Sequence, residues 1–452
     1  MNNHLVKIQL PEKVNMIIHE LKSHGYDAYA VGGCIRDSLL GREPEDWDIT
    51  TSAKPEQVKG IFAYTIDTGI QHGTVTVVLE KETFEVTTYR IDGEYEDARH
   101  PKDVIFTADL LEDLKRRDFT VNAMAYNEDE GLVDVFDGTG DLKRRVIRCV
   151  GEAEERFRED ALRVMRAVRF AAQLGFEIEA KTRAAIAGFA PALQKISAER
   201  IQAELVKLVV SPHPEQMQTV YDTGISDVIL PEFSVMMRTV QRNPHHIYTV
   251  GEHTIRSMKY IRADKILRLT MLFHDVAKPP CRTEDENGIH HFHGHPEVGA
   301  DMAEKILRRL KFDNLTIRKV TALVRAHDDR PPLGGKSIRH AIYRNGIEQY
   351  PALFAVKRAD ILAQSTFLQQ EKLLYVDRYE KIYRQICEKE QCLSLKDLSV
   401  KGADLIAAGM KPGREIGQVL NRMLQDVLDD PDMNRKEILM GKWQSYRDGA
   451  ET

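Results

Sequence analysis

The chain has 452 residues, 42% apolar and 30% charged, an ordinary globular mixture with room for about three domains; it excludes a disordered or collagen-like polypeptide. A formal net charge of −6 excludes coating of nucleic acid by bulk positive charge, though not a local basic groove. Five scattered cysteines without a Cys-x-x-Cys pair argue against a zinc ribbon or disulfide scaffold, and an N-terminus without an apolar signal core, with no apolar run of about 18 residues anywhere, predicts a cytoplasmic protein outside any membrane.

Residues 1–150 mix strands with helices. The segment Tyr29–Asp37, YAVGGCIRD, reads as a short apolar strand, a Gly32-Gly33 turn and a helix carrying Arg36. Glycines there let backbone N–H groups approach a phosphate, and the helix start adds partial positive charge; a plain turn explains the pair as well. Next comes EDWDIT, Glu45–Thr50. Read as a strand, it sets Asp46 and Asp48 on one face with Trp47 and Ile49 buried behind. Adjacent carboxylates repel unless a cation lies between them, so the pair reads as a divalent-metal clamp, with a solvated acidic edge as the alternative. A metal clamp beside a phosphate-cradling turn is what nucleotidyl transfer requires. The runs Thr74–Glu80 and Phe84–Arg90 alternate as strands around a turn at Lys81-Glu82-Thr83. They offer Glu85 as a third carboxylate, with Asp118 as the runner-up. Asp92–Pro101 is polar and aperiodic, a loop. In RRDFTVN, Arg117 is the candidate for a triphosphate and Asp118 with Asn122 for ribose hydroxyls; a charged turn before a buried helix is the alternative.

From Glu152 the pattern turns helical. On one helix, Glu159, Asp160, Arg163 and Arg166 share about a third of the circumference, while Leu162, Met165 and Val168 point inward. A solvated face laced by pairs such as Glu159–Arg163 accounts for this spacing. So does a protein template, in which a carboxylate and a guanidinium present a hydrogen-bonding edge to an incoming base. Ser197 reads as the cap of the next helix. Residues 143–169 carry nine basic side chains against five acidic, a patch suited to phosphates.

Ten of the sixteen histidines fall within about 245–365. His253, the adjacent pair His274-Asp275 and a distant Asp360, all on helical segments, make a divalent-metal constellation of imidazoles and carboxylates. Burying His274-Asp275 unpaired would be costly. A helical tail follows, built on DLIAAGM and IGQVLNRMLQDVL.

The ordered motifs VGGCIRD, EDWDIT, GIQHGTVTVV, RRDFTVNAMA, DGTGDL, EDALRVMRAVRF and AERIQAEL resemble the class II tRNA nucleotidyltransferases and bacterial poly(A) polymerases. The resemblance implies an α/β nucleotidyltransferase head (polymerase-β-like mixed sheet with helices) at 1–150 and an all-α remainder. Within the remainder it implies a neck at 151–244 that holds the nucleotide template and binds RNA, a domain at 245–390, and an RNA-binding tail at 391–452. It implies magnesium at Asp46 and Asp48, and nucleotide contacts from Gly33, Arg36 and Arg117. It also implies base selection by Asp160 and Arg163, further contacts from Arg166 and Arg169, and bracing by the AERI segment. No Gly-Arg/Lys-Arg/Lys-Phe-type signature of poly(A) polymerases follows the carboxylate pair, and the loop before RRDFT is full-length. The tail also resembles that of CCA-adding enzymes. All three features favour addition of C, C and A to the acceptor arm of tRNA from CTP and ATP, with an A-adding specialist or a poly(A) polymerase as the alternatives. Residues 245–365 resemble the HD phosphohydrolase superfamily, which implies a divalent cation at His253, His274, Asp275 and Asp360. His295 and His327 match the extra positions of two-metal members. The activity implied there is hydrolysis of a phosphomonoester or a 2′,3′-cyclic phosphate, with an idle RNA-binding scaffold as the alternative.

Overall fold

The structure is a computed structural model that describes residues 7–92 and 104–448. The loop expected at Asp92–Pro101 therefore lies, past its first residue, outside the described residues. The chain divides into two compact units, 1–234 and 235–452. Among the described residues, no helix is long and apolar enough to cross a membrane.

The first unit opens with helix α1 (Glu12–Ser23), whose Val14, Ile17, Ile18 and Leu21 form a buried stripe at three- and four-residue spacing. Seven strands make one mixed sheet: β1 (Ala28–Val31), β2 (Ile49–Thr51), β3 (Thr65–Gly69), β4 (Thr74–Leu79), β5 (Glu82–Thr88), and, beyond the hairpin β6 (Arg90–Asp92) and β7 (Val104–Phe106), β8 (Ala125–Asn127) and β9 (Gly131–Val133). The order across the sheet is β3-β4-β5-β2-β1-β8-β9. β2 and β5 run parallel with Ile49 beside Val86, and the other neighbours are antiparallel. Val75, Val77, Phe84, Val86 and Ile49 are buried, each such side chain contributing about 1.5–3 kcal/mol by leaving water. The turn between β4 and β5 is tighter than the sequence suggested. Leu79 pairs with Glu82, so only Glu80 and Lys81 form the loop, with φ of 48° and 73°. That left-handed pair is the form that matches strand twist in a two-residue hairpin.

Helices α2 (Gly33–Leu39), α3 (Pro55–Ile61), α4 (Leu110–Lys115) and α5 (Gly138–Arg144) belong to the head. Then α6 (Ala153–Glu159) and α7 (Leu162–Leu174) occupy the stretch expected to be one helix. The chain breaks at Asp160, which is extended at φ −140° and ψ 106°. Its Oδ1 accepts from the N–H of Leu162 at 3.0 Å, so the residue read as part of a helical face instead caps the start of a new helix. After α8 (Ala180–Phe189), α9 (Ala198–Val209) packs on α7. Ser197 does precede α9, but its hydroxyl caps nothing. The short helices α10 (Met217–Asp222) and α11 (Ile225–Ile229) follow, and α12 (Pro231–Arg238) contains the division between the units.

The second unit is helical, as expected, with one small hairpin pairing Thr283-Glu284 with His290-His291. Its helices include α13 (Val250–Lys259), α14 (Lys265–Phe273), α15 (His295–Arg309), α16 (Asn314–Ala326), α17 (Gly335–Asn345), α18 (Tyr350–Ala363) and α19 (Gln369–Glu388). Capping fixes several starts. Thr249 and Glu252 form a reciprocal box on α13, Asp264 accepts from Ile266 and Leu267 on α14, and Asp313 accepts from Thr316 on α16. Buried Tyr350, Phe354 and Tyr379 meet edge to face at 5.2–5.9 Å and anchor α18 to α19.

Candidate active site and metal centre

In the head, the site lies where β1 ends. Gly32 has φ 85° and ψ −127°, a backbone shape essentially closed to residues with a Cβ. Its N–H donates to the carbonyl of Met124 at 3.1 Å. A Cβ there would stand 3.1 Å from Nη1 of Arg117. The Gly32-Gly33 turn is thus a place where a guanidinium and bare backbone come together.

Asp46 and Asp48 precede β2 rather than lying within it, and Trp47 is half-buried rather than buried; only Ile49 sits in the core as expected. The carbonyl of Asp48 accepts from Val31 N–H at 2.9 Å, which ties the acidic segment to β1. One step back along the parallel register from Ile49–Val86, Asp48 stands beside Glu85. Asp48 is open to solvent at its surface but crowded by protein atoms. Its carboxyl pKa is raised first by that desolvation and then by Glu85 and Asp46, with Arg117 opposing. An Asp48 carboxylate crowded by two further carboxylates marks a site short of a cation.

Arg117 bears on this acidic group by charge, while Arg36 and Arg166 are held by other partners, Asp37 among them at 2.8 and 2.9 Å from Arg36. Arg36 donates to Oδ1 of Asn122 at 2.6 Å, and Asn122 donates to Asp118 at 3.3 Å. Arg166 donates to Oδ2 of Asp118 at 2.8 and 2.5 Å. Asp118 is buried, and although burial opposes its ionisation, Arg166 and Arg163 hold its pKa down to about 2. With both oxygens engaged, Asp118 is an anchor for an arginine and not a third metal ligand. The guanidinium groups of Arg36, Arg166 and Arg169 gather on the Phe170 ring at 5.2, 5.3 and 3.8 Å.

The expected template pair is separated by its own partners. Asp160 accepts from Arg200 of α9 at 2.7 Å. Arg163 donates to Glu159, to the carbonyl of Arg156 at 3.1 Å and to that of Arg116 at 2.9 Å. Arg169, expected to touch a nucleotide, is buried, and donates to Glu204 at 2.5 Å and Gln173 at 2.7 Å. It ties α7 to α9, while Arg163 and Arg166 of the same helix are held by Glu159 and Asp118. Arg200 of AERI and Glu204 three residues beyond Ile201 lie on α9 and supply these two contacts.

Sequence reading missed Asp113, which is fully buried on α4. Its Oδ1 accepts from Arg116 at 2.7 and 3.0 Å, and its Oδ2 from Arg117 and from Thr50 of β2 at 3.3 and 3.2 Å. The spacing Asp113–Arg116–Arg117, three and four residues apart, was the available signal.

The second unit brings together all six residues marked for a metal. Nε2 of His253 lies 2.9 Å from Asp360 Oδ1 and 3.2 Å from His274 Nε2. His274 Nε2 lies 3.2 Å from Asp275 Oδ2. On the other side of the same carboxylate, Asp275 Oδ1 lies 3.5 Å from His295 Nε2 and 3.8 Å from His327 Nε2, and those two nitrogens are 3.2 Å apart. Among the described residues, sets of three metal-type donors within 4.8 Å of one another occur at His253/His274/Asp275 and at Asp275/His295/His327. The head carboxylates are coupled by charge without drawing so close.

The tautomers decide what this cluster lacks. Nδ1 of His274, His295 and His327 meets the carbonyls of Met271, Phe292 and Val324 at 2.7, 2.8 and 2.6 Å, and a carbonyl only accepts. Each Nδ1 therefore carries a proton, and Nε2 is bare wherever the ring is neutral; at His274 burial favours the neutral ring but Asp275 beside it raises the pKa. Bare nitrogens facing each other at 3.2 Å need a proton or a cation between them. Asp275 Oδ2, buried without a hydrogen bond, points the same way, although Lys278 Nζ approaches it at 2.8 Å. Imidazole nitrogens oriented by backbone carbonyls around shared carboxylates fit a divalent cation. Sequence reading missed Lys278, three residues beyond Asp275.

Comparisons with known proteins bear on the family and the fold. Residues 28–148 match the family model of the poly A polymerase head domain, 175–237 that of the "Probable RNA and SrmB- binding site of polymerase A", and 286–442 that of tRNA nucleotidyltransferase domain 2. The CCA-adding enzyme of Lactobacillus delbrueckii subsp. bulgaricus is 38% identical over 91% of this chain and 92% of that one. That of Lactiplantibacillus plantarum is 34% identical over 96% and 97%. The Bacillus stearothermophilus CCA-adding enzyme in complex with CTP superposes with a TM-score of 0.74 at 31% identity, covering 98% of this chain and 99% of that chain. The Thermotoga maritima enzyme complexed with tRNA shares the fold, with a TM-score of 0.57 at 19% identity over 96% of each chain.

Proposed function

The chain belongs to the CCA-adding enzymes, and from that membership we propose that it transfers CMP, CMP and AMP from CTP and ATP to the 3′ end of tRNA without a nucleic-acid template, releasing pyrophosphate. The relatives and the solved neighbour bound to CTP support the substrate class. The observation that carries the catalytic reading is the mutual crowding of Asp48, Glu85 and Asp46 opposite Arg117.

Enzymes with this head use divalent metal. Asp46 and Asp48, with Glu85 beside them, have the oxygen donors and the uncompensated charge to hold it, and we read it as magnesium. Bound there, it would lower the pKa of the RNA terminal hydroxyl and neutralise charge on the triphosphate. The chain's own residues do the rest. Gly32-Gly33 leaves room for phosphate oxygens against the backbone, and Arg36 and Arg117 bring cations to them. Asn122, held between Arg36 and Asp118, lies at hand for the sugar. Asp160 and Arg163 select the base. The basic stretch 143–169 and the helical tail hold the acceptor arm by its backbone and shape. The organisation is a head at 1–150, a neck at 151–244, an HD-type domain at 245–390 and a tail at 391–452, working in the cytoplasm, where free cysteines such as these persist.

Transcripts ending at the discriminator base, at C and at CC test this, each offered labelled CTP or ATP. The first two should take CMP and the third AMP. AMP addition to the CC transcript alone would identify an A-adding specialist, and long A tracts on an unstructured primer a poly(A) polymerase. Asp46→Ala should abolish incorporation with an unchanged circular-dichroism spectrum; retained turnover would remove the metal role.

The six-residue cluster supports a second activity. We propose an HD-type phosphohydrolase centre, with one cation held by His253, His274, Asp275 and Asp360, and another by Asp275, His295 and His327. Its substrates would be phosphate esters, the 2′,3′-cyclic phosphate of an RNA end included. The bare imidazole nitrogens of His295 and His327, facing each other at 3.2 Å, support metal occupancy. Metal content of the purified chain, and its loss in His274→Ala, test this apart from activity.

A further inference from the structure

Two cavities flank the histidine cluster, and they differ in chemistry. The first, about 500 Å³, is lined by Lys278 and the imidazoles of His246, His290, His291 and His293. The second, about 390 Å³, is lined by Ile361, Leu368, Val376 and the ring of Tyr375, with Lys372 at its side. They share His245, His327, Asp328, Arg330 and Asp360, so they meet at carboxylate and imidazole groups of the cluster itself. Pockets that bury whole organic ligands run from about 300 to 1,000 Å³, so each cavity is of ligand size by itself. A phosphate group with one organic substituent needs only one of them.

We propose that this centre acts on a linear phosphodiester, with one nucleoside arm in each cavity. The proposal rests on the phosphohydrolase reading above and extends it from esters with one organic arm to those with two. The apolar cavity seats a base. Tyr375 donates its hydroxyl to the carbonyl of Pro331 at 2.6 Å, which fixes its ring as a wall against which a base can stack. Lys372 donates to Gln364 at 2.6 Å, and Gln364 donates to both oxygens of Asp360 at 3.1 Å, so this wall is tied by hydrogen bonds to a residue of the cluster. The histidine-lined cavity suits the sugar and further phosphates of the other arm. Lys278, Arg330 and Lys372 surround the junction with positive charge that complements a phosphodiester anion. Hydrolysis forms one P–O bond from water and breaks one ester P–O bond. The released oxygen leaves with the proton, giving a phosphomonoester and a nucleoside hydroxyl.

The test uses the full chain, the dinucleoside monophosphate ApA, adenosine 3′-phosphate and adenosine 2′,3′-cyclic phosphate. With manganese, ApA should be cleaved with kcat/KM at least tenfold above that for adenosine 3′-phosphate. With EDTA and no turnover, equilibrium dialysis should show ApA binding that Tyr375→Ala and Leu368→Trp weaken at least tenfold and Tyr375→Phe preserves. If the monoester or the cyclic ester is hydrolysed and ApA is not, the two-armed substrate is wrong and the phosphohydrolase reading stands. ApA affinity unchanged in both cavity variants overturns the base seat. If no ester is hydrolysed and no metal is retained, the phosphohydrolase reading fails and takes this proposal with it.

Discussion

The carboxylate of Asp118 accepts from Arg166 and Asn122 inside the head, and it shows what a lone charge in a sequence conceals. RRDFTVN announces an acid next to two bases, but it does not say which arginine, forty-eight residues away, will claim it. Hence Asp118 stood as runner-up for the metal, whereas the fold makes it a buried anchor. Its pKa is depressed from 3.8 to about 2, so its ion pair contributes stability that is present above the unfolded-state value and is lost as pH falls through about 2. The shift corresponds to about 2 kcal/mol. Asp118→Asn should therefore destabilise the first unit by about that amount at pH 7, and the gap to the parent should close between pH 4 and 2 in urea titrations; a constant gap would assign the loss to packing. Arg163, by contrast, donates to one carboxylate and two carbonyls at the edge of α7. Arg163→Ala should change the CTP-to-ATP preference at least tenfold with little change in KM for the triphosphates. An unaltered preference would exclude it from reading the base.

At the level of elements, periodicity located the paired strands β4 and β5 and the helical stretches of α7 and α9, and it failed where a side chain interrupts the period. The stretch from Phe157 to Phe176 keeps helical spacing throughout, yet Asp160 turns its carboxylate to the N–H of Leu162 and to Arg200, and one helix becomes two. Spacing reports which faces are apolar; it does not report a local hydrogen bond that competes with the helix. Likewise EDWDIT alternates like a strand, but its acidic half runs ahead of β2, where carboxylates need not fit a pleat. The glycine turn was legible because only glycine meets its geometry. Gly32→Ala forces a residue with a Cβ into φ 85° at a cost of about 1–3 kcal/mol and sets a methyl 3.1 Å from Arg117. Because the neighbour is a flexible guanidinium, the chain should still fold, with a lower melting temperature, while KM for both CTP and ATP rises severalfold. A rise for only one of them would place the turn at the base rather than at the phosphates.

Across the whole molecule, the two units set opposite problems for a cation. The head gathers carboxylates whose charges raise the pKa of Asp48, whereas the second unit buries the imidazoles of His295 and His327 with bare nitrogens facing each other at 3.2 Å beside Asp275. His253, His274-Asp275 and Asp360 could be picked out from residue types and helix positions; His295 and His327 came with the resemblance. That Asp275 serves both halves, and that backbone carbonyls fix each tautomer, required the helices to be brought together. This arrangement resembles other functional sites in trading stability for occupancy. A cation that binds only the folded second unit, at a hundred times its dissociation constant, adds about 2.7 kcal/mol. Manganese should therefore raise the unfolding temperature of that unit. The cleaner discriminator is the sign of a ligand mutation. If the metal-free pair His295–His327 is held together against lone-pair repulsion, His295→Leu should leave the EDTA-treated unit as stable as the parent or more so, while abolishing most of the manganese-induced shift. If instead a shared proton already satisfies the pair, the same substitution removes a buried hydrogen bond, and the EDTA-treated variant should melt lower, by the equivalent of about 1–3 kcal/mol. Calorimetry of the two proteins with and without manganese separates these outcomes by direction, whatever the rate of any hydrolysis.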